Sequence, residues 1–584
     1  MAPIAAAAYA VETPPVEMLC QRKTPANLTA LHQWVEAHAA AAIARHRGSD
    51  AAANTHEQHT ESQGSPAPQA RQEPATISEG AAPNSGPALV ASVDMLIYGG
   101  LIASRSSNDS EATVLERVRW LADLPRRFPG LRLYLSTTVM RIPAYNEDFE
   151  EPWFWALYGA DLYEYSFYSA RFRALHNASD AAQAEHYKAL VPASVLSKFL
   201  WRRARNVNAT HLLLELQRDA EAGKVGVAAA SRSGHVKIMS PSTSASPSAS
   251  AQALYITLDD SGTYGINVEE ANALRKQAEA LNLTSVSIYP GADEVGAALL
   301  ARLASDDMAA RPTVALVWRA PNATGLVPNY ENQAINLTVR AQLAASGAAI
   351  LAEYVVDEGG ALLGVHAAST AAADVVFLVN NFQAAPQLEA SQQPAPSSRP
   401  ASDYAPLTVA AVEAKASGAV LALADVRYSN GGDLAVLAWL QERLAAGDVD
   451  SAQLAYAGWN TDGNTLGTAA ANAVLLARFA APGAPAREAA VAANRRFTLL
   501  RIIEDALYQA SVRSSLNLYV PAAGEAITDL TPDLDFYERY SFKPLRAQGL
   551  PWTPLLGLPD STALERCFYP WKRTFEIGLT LGEG

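Results

Sequence analysis

Two successive carboxylates, Asp259 and Asp260, leave an apolar run at 253–258, and a second acidic pair, Asp293-Glu294, follows the run ending at Tyr289. Adjacent acids repel when both are ionised, so one of a pair tends to keep its proton while its neighbour gives it up. That division suits general acid/base chemistry, and Asp259, Asp260, Asp293 and Glu294 are the candidate catalytic residues. Similar apolar runs deliver further polar groups. One carries Asp94 and Tyr98 and is followed by Arg105; another runs out to Arg141, and Tyr264 follows the Asp pair. Later runs end in Arg319, in Asp425 with Asn430, and in Trp459-Asn460 with Asn464. These eleven are the candidate substrate-binding residues, with Trp459 as a sugar-stacking floor. Each has a structural alternative. Asp293-Glu294 and Asn430-Gly-Gly-Asp433 also read as helix caps, and a buried Asp94 needs a partner such as Arg105 or Arg141.

The elements that must position them repeat. Strands are predicted at 93–98, 131–138, 253–258, 285–289, 314–318, 349–355, 375–379, 420–424 and 454–457, with amphipathic helices at 268–281, 293–303 and 433–444 between them. Several strands are apolar on both faces, as in a parallel sheet covered by helices. The fold expected is α/β, with repeated β-α units in a largely parallel sheet, barrel-like or doubly wound. In either case ligands sit beyond the carboxyl ends of the strands, where the candidate residues lie. The α/β core spans 88–515. It is interrupted by an aromatic-rich helical insertion at 147–219 and by low-complexity stretches at 231–252 and 383–403, which bury too little to offset chain entropy. A helical segment at 1–47 and a disordered linker at 48–87 precede it. A long helix at 486–512 leads to an irregular cap, 516–584, packed on the core.

Composition narrows the function. A net charge of −14 over 584 residues argues against nucleic acid and anionic membrane as partners, and no run is apolar for long enough to span a bilayer. The two cysteines exclude a disulfide framework. No basic n-region precedes the Ala-rich start, which points to the cytoplasm, although seven Asn-x-Ser/Thr sequons keep secretion open. There is no phosphate-binding or dinucleotide-binding glycine motif, no His-Glu-x-x-His and no Gly-x-Ser-x-Gly, so no nucleotide cofactor is expected. None of the ten histidines follows a predicted strand, which leaves proton transfer to carboxylates.

Asp94-Met-Leu-Ile-Tyr-Gly-Gly-Leu-Ile-Ala-Ser-Arg105, Leu258-Asp-Asp260, Tyr289-Pro-Gly-Ala-Asp-Glu-Val295, Ala424-Asp-Val-Arg-Tyr-Ser-Asn430 and Ala457-Gly-Trp-Asn-Thr-Asp-Gly-Asn-Thr-Leu-Gly467 resemble the signature blocks of a mostly bacterial family, domain of unknown function 4127. Val139-Met-Arg141, Ile503-Glu-Asp-Ala-Leu-Tyr-Gln509 and Pro570-Trp-Lys-Arg-Thr-Phe-Glu-Ile577 fit it too, with Lys572 where Asn is commoner. The resemblance covers nearly the whole chain and implies no particular activity. The family opens with an apolar strand ending in an Asp-Asp-Arg-Pro type block. The chain starts after that point, so the resemblance implies a truncated version that lacks whatever the block contributes to a site.

The residues themselves favour a hydrolase acting on a glycosidic or similar polar small-molecule substrate, with Asp260 as acid/base and Asp259 as its partner. Two alternatives stand beside it. One is a lyase or hydrolase using a divalent cation such as Mg²⁺, with oxygen ligands from Asp259, Asp293, Glu294 and Asp425. The other is a sugar- or peptide-binding protein without catalysis.

Overall fold

A computed structural model of the chain describes residues 2–6, 9–20, 24–59, 86–222, 251–356, 362–366, 373–394 and 404–583. β1 (Ala88–Ser92), β2 (Arg132–Val139), β3 (Ala251–Leu258) and β4 (Val286–Pro290) lie side by side in that order, all parallel. A second sheet contains β5 (Thr313–Trp318), β6 (Ala349–Val356), β7 (Leu362–His366), β8 (Val375–Asn381), β9 (Val420–Val426) and β10 (Leu454–Ala457). Its order is β10-β9-β8-β5-β6-β7, parallel throughout except for the β6–β7 hairpin. The fold is therefore α/β with open sheets, the four-stranded one running in chain order and the six-stranded one doubly wound about β5 and β8, and the described residues form no closed barrel. Every residue of β8, β9 and β10 is buried, which is why these strands read as unbroken apolar runs rather than alternating ones.

A helical layer joins the two sheets. Helix Asp462–Phe479 lies against β8, β9 and β10 and also packs on helices Val295–Asp306 and Ile335–Ala345; Val295–Asp306 in turn contacts β1, β2 and β3. The first of these helices is Ala-rich and almost wholly buried, so neighbouring backbones approach closely. Gly467 marks the tightest point. A Cβ there would fall 2.3 Å from Glu294 Cγ and 2.4 Å from Gln342 Oε1.

The chain departs from the sequence pattern in several places. Residues 93–98, predicted as the first strand, form a helix, Val93–Tyr98. Ser92 Oγ caps it by accepting from Met95 N at 3.3 Å, and Gly99, at φ 89, ends it. The strand lies just upstream in Ala88–Ser92, because the cap decides the boundary of an apolar run that favours neither state. Helix Leu28–His59 runs on into the expected linker, while most of 48–87, 231–252 and 395–403 lies outside the described residues. Residues 383–394, expected in a disordered insertion, are mostly exposed but are anchored at the buried Gln387 and Ala390. Gln387 is buried, and its Nε2 donates to Val426 O at 2.8 Å and Asp462 Oδ1 at 2.9 Å.

Helices Trp155–Leu175, Ala178–Leu190 and Ala193–Glu221 follow β2. The long C-terminal helix runs from Arg487 to Ala522, with a π-helical stretch at Ile502–Val512. Beyond it, helix Leu534–Gly549 and the antiparallel pair β11 (Leu564–Phe568) and β12 (Gly578–Leu581) share one apolar core with β9 and β10. Among the described residues no helix is long and apolar enough to cross a membrane.

Gly467→Ala should destabilise the protein by about 1–3 kcal/mol through overpacking of the layer between the sheets. Chemical denaturation would measure it; an unchanged midpoint would mean that the layer yields.

Candidate functional site

Both sheets point the carboxyl ends of their strands into one cleft of about 1150 Å³, somewhat larger than most small-molecule pockets, roughly 300–1,000 Å³. The segment after β2 brings Arg141, the end of β3 brings Asp259 and Asp260, and the turn after β4 brings Asp293. Loops after β5, β9 and β10 contribute Tyr330, Asn430 and Asn460. Arg105 enters from helix Leu101–Ser106, and 570–576 of the C-terminal segment supplies another wall.

Two guanidinium groups organise the acids. Arg105, with only 1% of its side chain exposed, binds Asp259 Oδ2 through Nη2 and Glu151 Oε1 through Nη1 at 3.3 Å. Arg141 donates from Nη1 to Asp260 Oδ2 (2.7 Å), from Nε to Glu151 Oε1 (2.9 Å), and from Nη2 to Glu150 Oε2 (2.6 Å) and Tyr145 Oη (2.8 Å). Arg573 binds Glu150 Oε1 at 2.5 Å and grips Glu576 with two nitrogens. Burial alone would push Glu150 up, but Arg141, Arg573 and Arg105 outweigh it and hold its carboxyl below the usual range.

Asp260 behaves differently. Desolvation and then the neighbouring Asp259 raise it to about 6, against the pull of Arg141, and with 28% of its side chain exposed it is reachable from the cleft. Asp293 is raised to about 7 by its position deep among protein atoms, and then by Asp259 and Asp260. It opens onto the cleft, so water there screens part of that rise. Asn460 Nδ2 donates to Asp293 Oδ2 at 3.0 Å. Asn464 Oδ1 accepts from the backbone N of Asp293 (3.0 Å) and Ala292 (3.3 Å), fixing the turn.

The loops are held from behind. Asp505, on the π-helical stretch, accepts from Gly458 N through Oδ2 (2.9 Å), and its carbonyl accepts from Gly432 N (2.8 Å). Asn430 N donates to Asn460 O at 2.9 Å, tying the two loops together. Asp260, Tyr330, Asn430, Asn460 and Lys572 all have positive φ, between 35° and 65°. They are five of the seven non-glycine residues in that state among the described residues. Such backbone persists where surrounding structure over-determines it, often at functional sites.

The cleft therefore gathers Asp259, Asp260, Asp293, Arg105, Arg141, Asn430 and Asn460. The other candidates lie elsewhere. Glu294 turns inward; its Oε1 accepts from Gln342 Nε2 (2.8 Å), its Oε2 accepts from Ala292 N (2.9 Å), and burial raises its carboxyl to about 8. Asp94 is buried and answered by Thr138 N (2.9 Å) and Thr137 Oγ1 (3.3 Å) rather than paired with Arg105 or Arg141. Tyr98 lies under the Arg205 guanidinium, and Tyr264 meets the ring of Phe167 edge-on. Arg319 is buried off the cleft. Asp425 accepts from Asn380 Nδ2 (2.6 Å) and Asp433 N (2.7 Å) beneath its loop. Trp459 is no stacking floor, because its ring packs under Arg501 and its Nε1 donates to Thr468 Oγ1 at 3.1 Å. Asp433 is a cap, accepting from Ala435 N at 2.9 Å.

Asp259, Asp293, Glu294 and Asp425 thus do not converge as a cation cage. Among the described residues no group of three or more His, Cys, Asp or Glu side chains is arranged to hold a metal ion. Reading strand ends missed Tyr145, Glu150, Glu151, Tyr330, Arg513 and Arg573, which lie outside those positions. Only the block 570–577 carried a signal, as a local motif.

Glu294→Gln tests the cost of the buried acid. Raised from 4.5 to about 8, Glu294 contributes stability that is complete below pH 4.5 and lost as pH climbs through 8. The variant should gain in Tm relative to wild type between pH 5 and pH 9. A constant difference across that range would show that Glu294 does not titrate this way.

A model of a family described as protein of unknown function (DUF4127) matches residues 81–223 and 243–580. No curated protein and no solved structure matches the chain.

Proposed function

The chain belongs to the family of proteins of unknown function DUF4127, and from the geometry of its cleft we propose that it is a hydrolase acting on a glycosidic or similar polar bond. The observation that carries this reading is the carboxylate trio at one mouth. The carboxyls of Asp260 and Asp293 are both raised toward neutrality, Asp293 less than its depth alone would give because it opens onto water, while Asp259 is locked on Arg105. Groups with pKa values near the working pH are the most effective proton carriers, and unlike environments for neighbouring carboxyls divide acid from base.

In the proposed reaction Asp260 protonates the oxygen of the leaving group as the bond to the anomeric carbon breaks. Water then supplies its oxygen to that carbon and gives its proton to a carboxylate, so that one water is consumed per bond cleaved. Arg105 and Arg141 fix the facing carboxylates, and Asp259 offers negative charge where positive charge develops on the sugar ring. Tyr145, Phe149, Tyr330 and Trp571 give the cleft aromatic surface against which a sugar ring can pack.

Asp260→Asn should lower turnover of an aryl glycoside found by panel screening by about 100- to 10,000-fold with little change in Tm. Wild-type turnover in this variant would remove Asp260 from the mechanism. Asp259→Asn removes the negative neighbour that helps raise Asp260. The Asp260 carboxyl then ionises more easily, and the alkaline limb of the pH–rate profile should move to lower pH. A limb that stays in place would separate the two acids.

A further inference from the structure

The cations of the cleft fall into two sets. Arg105, Arg141 and Arg573 are each committed to carboxylates. Arg513 and Lys572 also line the cleft, and neither forms an ion pair among the described residues. Arg513 donates from Nη1 to the neutral Gln509 Oε1 at 2.9 Å, and its guanidinium stacks 4.3 Å from the centre of the Phe575 ring. Its Nε is buried with no partner, and desolvation lowers its pKa. Glu389 and Glu576 act on Arg513 without forming an ion pair with it, and the acids nearby have other partners: Glu576 is gripped by Arg573, Glu389 accepts from Tyr330, Ser429 and Asn430, and Asp529 Oδ1 accepts from Thr531 N at 3.0 Å.

Lys572 presents an exposed ammonium from a fixed turn. Its N donates to Tyr569 O (3.1 Å), and its O accepts from Leu530 N (2.7 Å). At φ 55 it occupies left-handed backbone, which Asn adopts more readily than Lys. A stacked guanidinium and an exposed ammonium lining the same cleft offer charge of the sign an oxyanion needs.

Resting on the reading of the cleft as a hydrolase site, we propose that its substrate carries an anionic substituent, a carboxylate, sulfate ester or phosphate ester, received by Arg513 and Lys572. The acids at the strand ends would work on the bond while this wall selects and orients the charged end.

Isothermal titration of the full chain at constant ionic strength tests this. The probes are gluco-, galacto- and manno-configured sugars, each neutral, as its uronate, as its 6-sulfate and as its 6-phosphate. At least one charged sugar should bind about tenfold more tightly than its neutral parent, and the tightest derivative identifies the anion. Arg513→Gln and Lys572→Asn should each erase that gain. Lys572→Asn should do so at an unchanged or higher Tm, which separates lost charge from lost fold. The proposal is overturned if no charged sugar outbinds its parent, or if the gain survives both substitutions. Binding is read without turnover, so a cleft that selects anions yet cleaves no aryl glycoside would sink the hydrolase reading alone.

Discussion

The cleft depends on one electrostatic requirement, that buried charge be paired. Arg105 and Arg141 are nearly closed to water, and together they face Glu150, Glu151, Asp259 and Asp260. Removing either guanidinium from such a cluster leaves buried negative charge uncompensated, which costs about 3–5 kcal/mol. The cluster therefore ties together segments distant in the chain: the helix before β2, the loop beyond it, the end of β3 and, through Arg573 on Glu150, the C-terminal segment. Its carboxylates outnumber its guanidinium groups. The excess negative charge is relieved by protonation at Asp260, whose carboxyl rises to about 6, while the arginines pull Glu150 down.

The second constraint is mechanical. The loops after β9 and β10 carry Asn430 and Asn460 to the cleft only because the π-helical stretch sets Asp505 against Gly432 and Gly458. Widened π-helical turns often accompany functional sites, and here the widened stretch is longer than a single turn, spanning Ile502–Val512. The Ala-rich layer beneath does the complementary task for β4, since Asn464 on helix Asp462–Phe479 holds the turn that presents Asp293. Rigid supports behind strained loops are how a fold keeps positive-φ residues such as Asn430 and Asn460 in place.

The strand ends were legible because parallel strands buried on both faces stand out as apolar runs, and the polar residue that ends each run stands out against them. Asp259-Asp260 and Asp293 reach the cleft as that pattern predicts. Glu294, one residue further on, does not, because the turn after β4 reverses direction and sends it back toward Gln342. Asp425 and Trp459 sit at strand ends too, yet they support loops rather than face the cleft. A strand-end position says which edge a residue occupies and not which way its side chain turns.

Sequence alone determined the α/β class, the parallel strands and the polar edge on which Asp259, Asp260 and Asp293 lie, because apolar periodicity and burial are local consequences of composition. The folded structure decided that 93–98 is helical, that the parallel strands divide between two open sheets, and that Glu150, Arg513 and Arg573 join the acids. Those outcomes follow from a serine cap, from the packing of one Ala-rich helix between two sheets, and from charges that find each other across hundreds of residues. Sequence spacing does not encode the meeting of such distant groups; it is set by the pairing of buried charge once the chain has folded.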